Sequence, residues 1–309
     1  MSLLVALAGC AGNRSLLAEL QRFDTPIELT ATPFHAQSTD QCGPAALATL
    51  LNTAGIAVGP EELRRRVYVP ELGGSIQPEM LAAARAYGRI PYVIDPDLPA
   101  VVEELRAGRP VGVLQNLGAR AWPVWHYAVV IGYLPEEDAF VLRSGETERH
   151  VLHASRFLAS WQRAGNWAFV ILEPGDLPAR PVAVRYLQAV AAVESAGLTD
   201  TAMRSYAAAT RAWPDNAIAW LGLGNTHYAH GDPASAFSAY SNALELAPGD
   251  AIAINNLAQV YADRGCTRIA RELITDALAR EGMPGELERM LRESHASFGE
   301  NTAADCPVR

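Results

Sequence analysis

The sequence predicts an α+β domain in its first half and an all-α repeat array in its second. Three observations carry this. Helix-forming stretches come first and apolar strand-like runs follow, which is the order of helices packed against an antiparallel sheet. A proline-rich segment, Glu173-Pro174-Gly175-Asp176-Leu177-Pro178-Ala179-Arg180-Pro181, then breaks the pattern as a linker would. Beyond it the composition turns alanine-rich and a 34-residue period appears. A chain of 309 residues suits two domains. Half of the residues are apolar, and the net charge of −9 with no Lys/Arg run argues against nucleic acid as a partner.

The chain opens on a short apolar run ending in Leu7-Ala8-Gly9-Cys10. That ending resembles the lipobox of bacterial lipoproteins. The resemblance implies lipidation of Cys10 and a membrane-anchored protein facing the periplasm or cell exterior. The run is short for an export signal, and no Lys or Arg precedes it; a frayed apolar terminus is the alternative. No other segment approaches the ~20 apolar residues of a membrane span. Residues 1–27 are therefore expected to be signal, lipobox and tether, with Ser15 to Arg22 a short helix or part of the tether. Ile27 to Thr32 alternates as a leading strand.

Gln37-Ser38-Thr39-Asp40-Gln41-Cys42-Gly43-Pro44-Ala45-Ala46-Leu47 reads as a nucleophile at the start of a helix. Ser38, Thr39 or Asp40 can cap it, Pro44 suits the first turn, and the alanines and leucines continue it. Cys42 then lies at the positive end of the helix dipole, which favours thiolate. The Gln37 amide could turn back toward the sulfur and donate to an oxyanion. A buried structural cysteine in a capped helix is the bland alternative. Helices follow from Pro60, from Pro78 to Tyr87 and from Asp97 to Ala107, with strands at Ile90–Ile94 and Val111–Gln115. The Asn116–Pro123 loop delivers Trp125-His126-Tyr127-Ala128-Val129-Val130-Ile131-Gly132-Tyr133, a buried strand with a histidine at its start. Strands at Phe140–Arg143 and Trp167–Leu172 complete the sheet. A base distant in sequence and near in space is what a thiol nucleophile needs.

Gln-x4-Cys-Gly-Pro-Ala-Ala-Leu followed by His-Tyr-Ala-Val-Val-Ile-Gly resembles the double-glycine (bacteriocin-processing) cysteine peptidases, which have a papain-like fold. The resemblance covers about residues 28–175. It implies Cys42 as nucleophile, His126 as base and Gln37 as oxyanion donor, with cleavage after small residues such as a Gly-Gly pair. The family places an Asp or Asn on the next strand to orient the histidine. Strand pairing here puts Arg143-Ser144-Gly145 at that position, with no carboxylate; the Ser144 hydroxyl can accept from the imidazole N–H and fix its tautomer but cannot stabilise imidazolium as a carboxylate does. Asp138 and Glu146 are nearby carboxylates, with Asp138 better read as a turn residue. His35, beside the motif, is more often structural in such a setting.

In the second half, Trp220, Leu223, Gly224, Tyr228, Ala236, Tyr240, Ala243 and Pro248 follow the tetratricopeptide pattern. Ile254, Leu257, Ala258, Tyr261, Ala270, Ile274 and Ala277 repeat it one period on, and Tyr186, Ala189, Val190, Ala202, Tyr206, Ala209 and Pro214 give a weaker copy one period back. The expected organisation is thus a papain-like cysteine peptidase domain over 28–175, a linker over 176–182, an all-α tetratricopeptide-repeat solenoid with a capping helix over 183–295, and a mobile tail over 296–309.

Cysteines at 10, 42, 266 and 306 contain no Cys-x-x-Cys and make no disulfide framework. A Cys266–Cys306 bridge would fit an oxidising compartment. No cofactor is expected, and a metal site from Cys42, His126 and His35 has the wrong spacing. The leading expectation is a cysteine peptidase with a peptide or protein substrate, its repeats recruiting that substrate or a protein partner on their concave face. Acyl transfer would use the same Cys–His chemistry. The alternative is a catalytically weak or inactive peptide-binding scaffold of an envelope or secretion complex.

Overall fold

The structure, a computed structural model, describes residues 15–36, 41–280 and 282–299. Contacts divide it into two compact units, Met1–Ala189 and Val190–Arg309. Cys10, Gln37, the capping candidates Ser38 to Asp40, and Cys306 lie outside the described residues.

In the first unit the Ala/Leu-rich stretch forms helix α1, Cys42–Thr53. Helix α2, Pro60–Val67, has acidic residues in its first turn and arginines in its last, matching its dipole. Strands β2, Tyr68–Val69, and β3, Gly74–Ser75, form a small hairpin that leads into α3, Gln77–Ala86. Helix α4, Leu98–Arg106, is capped by Asp97, whose side chain accepts from the Ala100 N–H.

A seven-stranded antiparallel sheet lies beneath. Its strands are β1 (Ile27–Glu28), β4 (Ile90–Val93), β5 (Val111–Asn116), β6 (Trp125–Leu134), β7 (Ala139–Ser144), β8 (Thr147–His153) and β9 (Ala168–Leu172). The spatial order is β4-β9-β5-β6-β7-β8, with β1 also paired to β6. Tyr127 to Tyr133 are all buried because the sheet is covered on both faces. On one face, Leu47, Leu50 and Leu51 of α1 pack on Tyr127, Val129, Ile131 and Val141. On the other, helix α5, Ala154–Gln162, stacks Phe157 on Phe140 at 4.7 Å between ring centres.

Several elements differ from the sequence expectation. The N-cap of α1 among the described residues is Gln41, which makes no side-chain capping bond. Its amide donates instead to Glu61 Oε1 at 3.0 Å. The leading strand is only Ile27–Glu28, because the segment beyond is held by Arg143, which donates to the carbonyls of Thr30 and Thr32. The proline-rich segment does not hang free. Arg180 pairs with Asp97 and Glu103, and the Ala179 N–H donates to Glu104 Oε1 at 2.7 Å, fastening the segment along α4.

The second unit is helical. Helix α6, Ala183–Ser195, carries the division between the units, and α7 (Thr199–Ala212), α8 (Ala217–Ala229), α9 (Pro233–Leu246), α10 (Ala251–Asp263) and α11 (Thr267–Leu278) follow as antiparallel neighbours. Asn216, Asp232 and Asp250 cap three of them with side-chain acceptors. Glycine permits the closest approaches: a Cβ on Gly222 or Gly224 would fall 2.4 Å from the ring of Tyr206 or Tyr240. Helix α12, Gly285–Ser297, closes the stack. It takes in the start of the expected 296–309 tail, and Phe298 is buried against Ile274, Ala277 and Leu291, an apolar side chain finding cover. Cys266, 4% exposed, is disulfide-bonded.

Candidate active site

Cys42 is the first residue of α1 and is not in a disulfide. The first turn of this helix holds no acidic residue, so no side chain there offsets the positive end of its dipole. The first backbone bond of the turn runs from the Ala45 N–H to the Gln41 carbonyl at 3.0 Å. Pro44 has no N–H to leave unpaired.

Cys42 opens onto a cavity of about 490 Å³. One wall is the β2–β3 hairpin with its turn, Leu72 to Ser75. The other is made by Leu114, Trp125 and Tyr127 of the sheet. The hairpin wall presses closely on the helix. A Cβ on Gly43 would fall 2.4 Å from Ser75 Oγ and 2.5 Å from Ser75 Cβ. Ser75 Oγ is itself buried and has no hydrogen-bond partner among the described residues.

His126 is the second residue of β6 and is half-buried. Its Nε2 lies 2.8 Å from Ser144 Oγ, on the neighbouring strand β7. Burial, and next the nearby charge of His150, hold His126 below the ordinary histidine range. Its ring is thus a neutral base near neutral pH rather than a standing imidazolium. Trp125 and Tyr127, on either side of it, both line the cavity of Cys42, so the His126 backbone runs along the cavity wall. Alternation along β6 sets Tyr127, Val129 and Ile131 toward α1 and groups His126 with the side of the sheet that carries Ser144.

The loop before β6 is firmly built. Asn116 Oδ1 accepts from the N–H groups of Gly118 and Val124, and the Asn116 carbonyl accepts from Arg163. Leu117 N–H donates to the Val124 carbonyl at 2.8 Å, closing the hairpin.

The remaining candidates fall elsewhere. His35 Nε2 is 2.8 Å from Asn52 Oδ1. Asn52 is ten residues along α1 from Cys42, about 15 Å at the helical rise, so His35 braces the far end of the helix. The Asn52 amide in turn donates to the carbonyls of Ile56 and Val58. Asp138 stands in the turn after β6 at φ 43°, facing His153 at 3.6 Å. Glu146 is exposed in the β7–β8 turn. Among the described residues no cluster of three or more His, Cys, Asp or Glu is arranged to hold a metal.

Sequence reasoning did not single out three residues of this region: Ser75, Tyr127 and His150. Tyr127 could have been found from alternation, since a neighbour of His126 on a buried strand must take the opposite face. Ser75 needed the fold, because only helix packing brings the hairpin to Gly43.

Residues 29–169 match the Peptidase_C39 like family, and residues 186–251 match the tetratricopeptide repeat. The chain is thus similar to the C39-like peptidases over its mixed α/β part and to tetratricopeptide repeats over its helical part. Among solved structures, one assigned as a C39-like peptidase from Bacillus anthracis aligns over 48% of this chain and 98% of its own, at 18% identity and a TM-score of 0.42. The peptidase domain of Streptococcus ComA, a bi-functional ABC transporter involved in a quorum sensing pathway, aligns over 45% and 96%, at 18% identity and a TM-score of 0.37. Comparison with curated proteins yields no match.

Proposed function

We propose that the α/β unit is a cysteine peptidase acting through Cys42 and His126, with the repeat unit recruiting its substrate or a protein partner. The observation that carries this is the placing of Cys42 at the N-terminus of α1, on a cavity whose wall includes both neighbours of a histidine hydrogen-bonded to Ser144. His126 takes the proton of Cys42, the thiolate attacks a peptide carbonyl, and the imidazolium returns the proton to the leaving amine. Cleavage after small residues such as Gly-Gly follows from the family resemblance.

The test is labelling of the purified protein with iodoacetamide at neutral pH. Wild type reacts faster than a free thiol, Cys42→Ala abolishes the fast phase, and His126→Ala slows it. Labelling at the free-thiol rate and indifferent to His126→Ala would leave a peptide-binding scaffold.

We further infer an envelope location, with Cys10 lipidated. The disulfide at Cys266 supports an oxidising compartment. Growth with an alkyne-tagged fatty acid tests this. Tagging should vanish in Cys10→Ser, and an untagged wild-type protein would refute it.

A further inference from the structure

Tyr127 is 2% exposed, and its ring is locked edge-on against Trp167 with ring centres 6.1 Å apart. Its hydroxyl has no hydrogen-bond partner among the described residues, although buried phenols usually find one. It lines the same cavity as Cys42. Nothing in the packing of α1 on the sheet requires a hydroxyl here. The neighbouring positions that face α1 from this strand, Val129 and Ile131, are aliphatic. A phenylalanine would fill the space equally well, so the hydroxyl serves the cavity and not the core.

We propose that Tyr127 is a catalytic residue, its phenolic O–H donating a hydrogen bond to the oxyanion formed when Cys42 attacks a carbonyl. The proposal rests on the peptidase reading and adds a donor to it. In the addition step, the thiolate sulfur bonds to the carbonyl carbon and the π pair moves to the oxygen, which then accepts from Tyr127. In the collapse the C=O bond re-forms, the C–N bond breaks, and the amine leaves with the proton His126 carries. Tyr127 ends each step with its own proton.

That last requirement is met. Burial, and next the negative charge of the Cys42 thiolate, push the Tyr127 ionisation far above the ordinary phenol value. The group stays a donor across the working pH range and does not compete with His126 as a base. A fixed donor in a partly dry cleft is the kind of group that contributes most to acyl transfer.

The experiment compares two reagents on full-length wild type and Tyr127→Phe, a change that keeps the ring and its contact with Trp167. Alkylation by iodoacetamide forms no oxyanion. Acetyl-glycyl-glycinal, a peptide aldehyde, forms a hemithioacetal whose oxygen occupies the oxyanion position. Tyr127→Phe should leave the alkylation rate and its pH profile within twofold of wild type. It should weaken the aldehyde at least tenfold and lower peptide turnover by about 10²-fold, the usual scale for one lost oxyanion donor. Unchanged aldehyde affinity overturns the proposal. So does a shifted alkylation profile with unchanged aldehyde affinity, which would assign the hydroxyl to the resting thiolate. If wild-type Cys42 reacts with both reagents no faster than a free thiol, the peptidase reading itself fails, and this proposal with it.

Discussion

Replacing Gly43 by alanine tests the contact between the nucleophile helix and the cleft wall. The added Cβ would lie 2.4 Å from Ser75 Oγ, 2.5 Å from Ser75 Cβ and 3.5 Å from Met80 Sδ. Comfortable carbon contacts are about 3.5–4.0 Å, so the first two must open by about 1 Å. The hairpin is the part that yields, because β3 is a two-residue strand whose ladder is Ser75 with Tyr68 and Gly74 with Val69. Overpacking of this kind costs about 1–3 kcal/mol. Alanine regains up to ~1 kcal/mol of helix propensity, leaving a net loss of about 1–2 kcal/mol. At a urea slope of about 1–3 kcal/mol/M, the unfolding midpoint should fall by roughly 0.5–1 M. Ser75→Gly removes the opposing atoms. The double variant should therefore recover most of the loss, with a coupling of about 1 kcal/mol in a double-mutant cycle. A Gly43→Ala protein within about 0.3 kcal/mol of wild type, or one that Ser75→Gly fails to rescue, would refute the packing argument.

Three further outcomes follow from the site and the repeats. Ser144→Asp would put a carboxylate at His126 Nε2, 2.8 Å away in the present geometry, and should raise the histidine pKa by about 1–3 units. The acid limb of Cys42 alkylation would then move to higher pH, and peptide turnover would rise; an unmoved limb would deny the His126–Ser144 contact. In His150→Gln a positive neighbour is lost, so the same limb should move up by a smaller amount and stay below the ordinary histidine value, because burial is the larger cause and persists. A pH profile identical to wild type would show that the two imidazoles do not interact. Gly224→Ala would drive a Cβ to 2.4 Å from the Tyr240 ring. It should cost the repeat unit about 1–2 kcal/mol after the propensity gain, read as a lower thermal midpoint in the circular dichroism of the helices; an unchanged midpoint would mean the ring can turn aside.

Much of the site could be read from the chain. The run from Cys42 to Leu51 announces its own helix, and the spacing of His126 and Ser144 follows from pairing two apolar strands. The repeats were legible because a 34-residue period averages over many weak positions. Strand β8 was not, because Thr147, Glu148 and Arg149 lie on an exposed edge with no apolar alternation to reveal them. Helix α5 was missed with it, since Phe157 and Trp161 gain their meaning only from Phe140 on the sheet. The fastening of Arg180 to Asp97 and Glu103 spans 83 and 77 residues, and no local pattern encodes it. Phe298 illustrates the same limit: a lone aromatic in a polar tail becomes core once α12 is in place.

The imidazole and the phenol are neighbours on one strand, and that adjacency makes strand alignment a chemical variable. A slip of one residue would exchange them, setting the phenol beside Ser144 and taking the imidazole away from it. Two devices guard against it: the Asn116 clamp that fixes where β6 begins, and the irregularity between Val130 and Gly132 that fixes its pairing with β7. Deletions should therefore sort by position rather than by number. Loss of one residue between Leu117 and Val124 changes the shape of a loop, whereas loss of one between Tyr127 and Gly132 exchanges the two faces of the strand beyond it and breaks the alignment that sets the imidazole beside Ser144 and the phenol on the cavity.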